Sequence, residues 1–183
     1  MRNRKSDTPG REIDLLTNYP RSDRNVDMRG AEKTEADQAV ARRFGKEFFD
    51  GDRRHGYGGF AYHRRFWQPV VPTFRDYYSL TGESAVLDVG CAKGFMVRDF
   101  KELIPGISVN GVDISDYAIG CAEEDISDDL KVADARELPF DDASFDLVVS
   151  INTIHNLDRE GVVQALGEIE RVSRSFSYVT VDA

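Results

Sequence analysis

The chain has 183 residues, 40% hydrophobic and 31% charged, with a formal net charge of −9. That suits one soluble domain with a real core, and the charge argues against broad binding to nucleic-acid phosphates. No apolar run nears the ~18 residues of a membrane span, the N-terminal MRNRKSDTPGREID lacks the apolar stretch of a secretory signal, and two cysteines outside any metal-ligand spacing fit a reduced, cytoplasmic setting.

Residues 1–35 carry eight basic and seven acidic side chains and few large apolar ones, the composition of a mobile arm. A helix is expected to begin near Thr34 and to run through Ala39, Val40 and Phe44. The stretch FFDGDRRHGYGGFAYHRRFW at 48–67 combines four glycines and four arginines with seven aromatic rings. Glycine loosens a segment while aromatics demand burial, so residues 36–83 are expected to form a lid that folds over something. A short helical pattern over Thr73 to Leu80 follows Pro69 and Pro72.

From Ser84 to the last residue the texture alternates between strands and helices. SAVLDV, ISVNGVD, DLKVAD, SFDLVVS and SYVTVDA read as five strands. Between them, FMVRDFKELI and DYAIGCAEE read as helices, the second capped by Ser115. REGVVQALGEIERVSR is amphipathic, with Val162, Val163, Leu166, Ile169 and Val172 expected on its buried face. Such alternation implies an α/β fold, a doubly wound parallel sheet whose ligands bind at the carboxyl ends of its strands.

Residues 86–95, VLDVGCAKGF, pose a chemical puzzle at one of those ends. A glycine turn between strand and helix usually cradles phosphate, yet Asp88 stands two residues before Gly90. Three more aspartates, Asp113, Asp134 and Asp146, fall at or near strand ends. Converging carboxylates would repel a phosphate and suit a cationic ligand rich in hydrogen-bond donors. The spacing of Gly90, Ala92 and Gly94 also departs from the G-x-G-x-x-G of dinucleotide sites, and Lys93 precedes its glycine where a P-loop lysine would follow it. A turn that serves only strand–helix packing is the plainer alternative.

DVGCAKG resembles the first motif, D/E-x-G-x-G-x-G, of the class I S-adenosylmethionine-dependent methyltransferases. GVDIS, ADARELPF and SFDLVVS resemble that family's second-, third- and fourth-strand motifs, most like its small-molecule branch. The likeness covers residues 84–183 and departs at Ala92, where a glycine is usual. It implies a Rossmann-like core that binds S-adenosylmethionine. Gly90 and Gly94 would let the backbone approach the ligand, Asp88 would face its ammonium, and Asp113 would accept from the ribose hydroxyls. Asp134 and the N–H of Ala135 would meet the adenine, while Cys91, Ala92, Ile114 and Ile151 would complete the cofactor set, the Cys91 thiol itself packing.

Methyl transfer needs placement and dryness, and a base only where the nucleophile must lose a proton. The resemblance puts the acceptor, a small molecule, beside the loop SINTIHNLD. His155 is the leading candidate for a base or substrate ligand, against a histidine that only packs or caps. Asn152 and Asn156 could orient the acceptor, and Tyr57, Tyr62, His55 and His63 of the lid could line the site. Alternatively the lid aromatics merely pack and Arg53, Arg54, Arg64 and Arg65 are solvated; facing inward, those arginines would favour an anionic acceptor. The resemblance also implies seven strands where five are read. The fifth would then be an open edge, either because the chain is a fragment or because the arm or a second subunit, as in a homodimer, covers it. A cofactor-binding subunit without catalysis of its own is the alternative to an active methyltransferase.

Overall fold

A computed structural model describes residues 10–20 and 34–181. The rest of the expected arm and the last two residues of the expected fifth strand lie outside the described residues.

Thr34 opens the first helix with a capping box: its hydroxyl accepts from the Asp37 N–H while the Asp37 carboxylate accepts from the Thr34 N–H. This α1 (Glu35–Ala41) and the short α2 (Lys46–Phe49) form the start of the lid, and α3 (Val71–Tyr78) follows, with a proline in its first turn. Then come β1 (Ala85–Val89), α4 (Phe95–Leu103), β2 (Ser108–Asp113), α5 (Asp116–Gly120), β3 (Leu130–Val132), β4 (Phe145–Ile151), α6 (Arg159–Val172) and β5 (Ser173–Thr180). The strands are all parallel in the order β3-β2-β1-β4-β5, so strand order reverses between β1 and β4. A crevice therefore opens above the carboxyl ends of those two strands. No helix among the described residues is long and apolar enough to cross a membrane.

Side chains of a strand alternate between the sheet's faces, and both faces here are apolar, as a covered parallel sheet requires. Val86, Val109, Leu147 and Val149 pack with Phe74 of α3 and Met96, Val97 and Phe100 of α4. Leu87, Val89, Val112 and Val148 pack on the other face with Ala165, Ile169 and Val172 of α6. Phe74 and Phe100 are fully buried; truncating either to alanine should cost roughly 3–5 kcal/mol.

Several expectations are corrected. Residues 10–20 lie on the core: Leu15 is buried in the first cluster beside Val70 and Phe74, and the Leu15 N–H reaches the Tyr178 hydroxyl at 3.4 Å. Ile13, Leu16 and Tyr19, sparse as they are, supply enough apolar surface to hold this stretch. On α6 the buried face is Gly161, Ala165, Ile169 and Val172, whereas Val163 and Leu166 are exposed. A Cβ on Gly161 would stand 3.0 Å from the Asp158 carboxylate oxygen and 3.2 Å from the Leu157 Cβ, so the helix's first turn is tightly closed on this side. β5 begins at Ser173, four residues before the expected start. A register shift lets Phe145 pair Ser173 while Leu147 pairs Phe176, and Arg174 within that bulge reaches the Asp146 carboxylate at 2.9 Å. Asp146 is thus at the amino end of β4, also accepting from the Ala85 N–H, and cannot serve a site at the carboxyl ends. Both cysteines are free, Cys91 buried and Cys121 exposed.

Candidate functional site

The crevice at the strand-order reversal is a cleft of about 360 Å³ with two walls. Gly90 and Ala92 of the β1–α4 loop, Asp113 and Ile114 after β2, Asp134 and Ala135 after β3, and Ile151 to Thr153 after β4 form the sheet rim. The lid supplies the facing wall from Arg42 to Phe44, from Phe48 and Phe49, and from Tyr57.

Backbone geometry shapes the rim. Gly90 has φ +85°, and a Cβ there would stand 1.9 Å from the Thr153 hydroxyl oxygen, so only glycine lets the β1 loop and the β4 loop meet. Ala92 also sits in the left-handed region, at φ +52°. A non-glycine residue pays roughly 1–2 kcal/mol there, and Asp113 offsets it: one carboxylate oxygen accepts from the Ala92 N–H at 2.8 Å, the other from the Ser115 N–H at 2.9 Å. Asp113 therefore ties the glycine loop to the end of β2 and still has a lone pair on each oxygen for a ligand hydroxyl. Burial pushes its carboxyl up, against the pull of those N–H groups. Ile114, 53% exposed, offers an apolar ledge beside it.

Asp88 lines no part of the cleft. Strand alternation turns its side chain to the same face as Val86, behind the glycine loop, where it is buried. Burial first, and the Asp113 charge second, push its carboxyl up to about 7. Cys91 is likewise buried there, its thiol raised by desolvation and by both aspartates, and Gly94 packs against Leu130 and Ile126. Asp134 does reach the cleft but is clamped by Arg136, whose Nη2 lies 2.6 Å from Oδ2 and whose backbone N–H donates to Oδ1 at 2.9 Å. The guanidinium holds the Asp134 carboxyl below its ordinary value.

The expected catalytic pair separates. Tyr57 stands in the lid wall, its ring 4.2 Å from Phe60 and stacked. His155 is exposed and lines no part of the cleft: the 3₁₀ turn Ile154–Asn156 buries Ile154 in the second core cluster and turns His155 outward. Asn152 and Asn156 do line the cleft. Tyr62, His55 and His63 do not; Tyr62 donates to Asp99 at 2.6 Å, His55 faces Asp37 at 3.2 Å, and His63 accepts from the Arg65 N–H. Nor do the four arginines between residues 48 and 67 enter: Arg54 pairs with Asp52, Arg64 with Glu102, Arg65 lies over the Phe66 ring, and Arg53 is exposed.

Sequence reasoning missed three arginines, Arg42, Arg43 and Arg136, and the part Lys93 plays. The Lys93 ammonium lies 2.8 Å from both oxygens of Asp50 and 2.7 Å from the Phe60 carbonyl. The Tyr117 hydroxyl donates to the same Asp50 at 2.6 Å. Burial pushes the Asp50 carboxyl up, but the hydrogen bonds from Lys93 and Tyr117 outweigh it and leave it lowered. A lysine between two loop residues of a glycine turn thus latches the lid to the rim. The signal available in the sequence was its company, since a lysine in a turn built around carboxylates needs one of its own.

A family model described as a methyltransferase domain matches residues 87–180, which is 94 of the 183 residues. An Encephalitozoon cuniculi protein provisionally named a methyltransferase is 37% identical over 131 residues, 71% of this chain and 57% of that protein. The 27-O-demethylrifamycin SV methyltransferase of Amycolatopsis mediterranei is 30% identical over 93 residues, 47% of this chain and 34% of that enzyme. The chain thus spans well under two thirds of the length of both relatives. A solved Methanococcus maripaludis structure, provisionally described as an S-adenosylmethionine-dependent methyltransferase, shares the fold with TM-score 0.56 at 19% identity, over 62% of this chain and 54% of that one. With the strand order, the glycine loop and the acidic end of β2 in place, the chain belongs to the class I S-adenosylmethionine-dependent methyltransferases.

Proposed function

We propose that the protein binds S-adenosylmethionine along the sheet rim and transfers its methyl group to an oxygen, nitrogen or carbon of a small-molecule acceptor held under the lid. The observation that carries this reading is the Asp113 carboxylate, anchored by two backbone N–H groups and facing a cleft walled by Ile114 and Gly90. When bound, the cofactor supplies a methyl group on a sulfonium sulfur, activated for in-line displacement. Asp113 would accept from the ribose diol, and Ile114 and Ala135 would cover the adenine faces. Asp134, already paired with Arg136, would reach the adenine amino group through its remaining lone pairs. Asp88, behind the loop, would favour the ligand's ammonium through the field it adds once ionised.

The acceptor side asks less of this chain. Asn152 and Asn156 could orient the nucleophile, and Tyr57 with the Phe48 and Phe49 rings would exclude water. The rifamycin enzyme, whose name gives it a small-molecule acceptor, supports that substrate class. No histidine lines the cleft, which favours an acceptor that is nucleophilic without a histidine base. It also keeps a second reading in play, a cofactor-binding subunit without turnover of its own.

Calorimetric titration with S-adenosylhomocysteine, beside release of labelled methyl from S-adenosylmethionine over an acceptor panel, tests the proposal. Binding that Asp113→Ala weakens at least ten-fold, with acceptor-dependent methyl release, is the expected result. Binding without turnover on any acceptor favours the second reading, and no binding overturns both.

A further inference from the structure

The lid wall carries a charge that the cofactor's cationic centre does not call for. Arg42 and Arg43 end α1 and line the cleft together with Phe44, Phe48 and Tyr57. Neither guanidinium has a carboxylate or hydrogen-bond partner among the described residues. That is notable in a chain with 33 acidic against 24 basic side chains, where Arg54, Arg64, Arg75, Arg98, Arg136, Arg171 and Arg174 all hold carboxylates. Arg11, Arg53, Arg65 and Arg159 also lack one among the described residues, but none of them lines the cleft.

The corner that presents the pair is built rather than loose. The Arg42 N–H donates to the Gln38 carbonyl at 3.0 Å and the Arg43 N–H to the Val40 carbonyl at 3.2 Å, closing the helix. Phe44 then takes φ +47°, a left-handed conformation that a bulky residue rarely adopts. It is held there by the Ser115 hydroxyl, which donates to the Phe44 carbonyl at 2.5 Å, and by edge-to-face contact with Phe48. Backbone strain over-determined in this way marks positions where a precise direction matters. Here it sets the backbone from which Arg42, Arg43 and Phe44 line one side of the cleft, anchored to Ser115, two residues after the ribose-binding position. Guanidinium forks match carboxylate geometry, and flat rings recognise flat rings.

We propose that the acceptor is a planar aromatic acid, its carboxylate received by Arg42 and Arg43 and its ring laid against Phe44, Phe48 and Tyr57. This rests on the methyltransferase reading above and adds the substrate class to it. The methyl-transfer step is unchanged, and the carboxylate is a handle that places another atom of the acceptor toward the rim.

The test is calorimetry on the full chain saturated with S-adenosylhomocysteine, using three matched probes and their methyl esters: 3,4-dihydroxybenzoate, 4-hydroxycinnamate and indole-3-acetate. At least one acid should bind ten-fold or more tighter than its ester. Arg42→Ala/Arg43→Ala should abolish that preference, Arg42→Lys/Arg43→Lys should restore part of it, and the melting temperature should stay put because both residues are exposed. Equal binding of acids and esters, or no binding of any acid, overturns the proposal. So does a double alanine variant that loses S-adenosylhomocysteine affinity while keeping the acid preference, since the pair would then serve the cofactor's own carboxylate. If the unaltered chain fails to bind S-adenosylhomocysteine, it is the methyltransferase reading that falls first, and this one with it.

Discussion

The sheet rim and the lid face each other across one cleft but are held by different means. At the rim, each group sits at the end of a strand whose register with its neighbours is set by five parallel pairings between β1 and β2 and three between β1 and β4. The lid has no such ladder. Its α1 and α2 run seven and four residues, too short to be stable alone, and the part that walls the cleft is held by long-range bonds, among them Lys93 and Tyr117 to Asp50 and Ser115 to the Phe44 carbonyl. The difference teaches that cofactor geometry here is a property of the fold, while acceptor geometry is a property of a handful of side chains. Mutations should separate the two.

The largest effect is expected at the rim. Gly90→Ala places a methyl group on the Thr153 side chain at a backbone angle alanine resists, with no ladder able to give way. S-adenosylhomocysteine affinity should fall more than a hundred-fold, read by calorimetry; a loss under ten-fold would mean the two loops can part freely.

Next in size is the latch. Lys93→Met leaves Asp50 without its cation. Because the Asp50 side chain is still 25% exposed, the cost should be roughly 2–3 kcal/mol, below the about 3–5 of a fully buried pair. Urea denaturation measures it, and limited proteolysis should show cleavage rising within residues 44–60 while the sheet stays protected. Adding Asp50→Asn should recover part of the loss. Equal stability of the single variant and the unaltered chain would show that the lid does not depend on this pair.

A pH dependence comes third. The folded Asp88 carboxyl, raised to about 7, binds a proton that the unfolded chain has already released. Stability from this group is therefore complete below the ordinary carboxylate range and declines as pH rises to about 7, by at most about 1.4 kcal/mol per pH unit. Asp88→Asn should flatten that decline, measured as unfolding free energy between pH 4 and 7. It should also weaken binding of the cationic cofactor above pH 7, where the native residue is ionised. A slope that persists in the variant would assign it to another carboxyl.

The smallest effect is at the residue the sequence favoured most. His155→Ala should change methyl release by less than two-fold, because the side chain points to solvent; a large loss would place it in catalysis after all.

Why one wall was legible and the other was not follows from distance along the chain. The five strands, the reversal point and the rim positions Gly90, Asp113, Asp134 and Ile151 are written in short motifs on brief apolar runs, so local pattern suffices. Asp88 was found by the same pattern, yet its side chain proved buried and outside the cleft lining, one residue short of the end of β1. In the lid, the residues that enter the cleft are selected by partners 43, 67 and 71 positions away. Nothing in the run of aromatics and arginines from 48 to 67 says that Arg64 will be taken by Glu102, that Tyr62 will be taken by Asp99, or that two arginines before the run will face inward instead. His155 was misplaced for a related reason. Ile154 beside it is claimed by the core, and a 3₁₀ turn cannot aim both neighbours at once.

The most direct measurement is a crystal structure of the full chain with S-adenosylhomocysteine bound. The ribose hydroxyls should meet Asp113 and the sulfur should point across the cleft toward Tyr57 and the Asn152 loop. A ligand whose sulfur turns away from the lid, or one seated anywhere other than above β1 and β4, would contradict the division of the cleft into a cofactor wall and an acceptor wall.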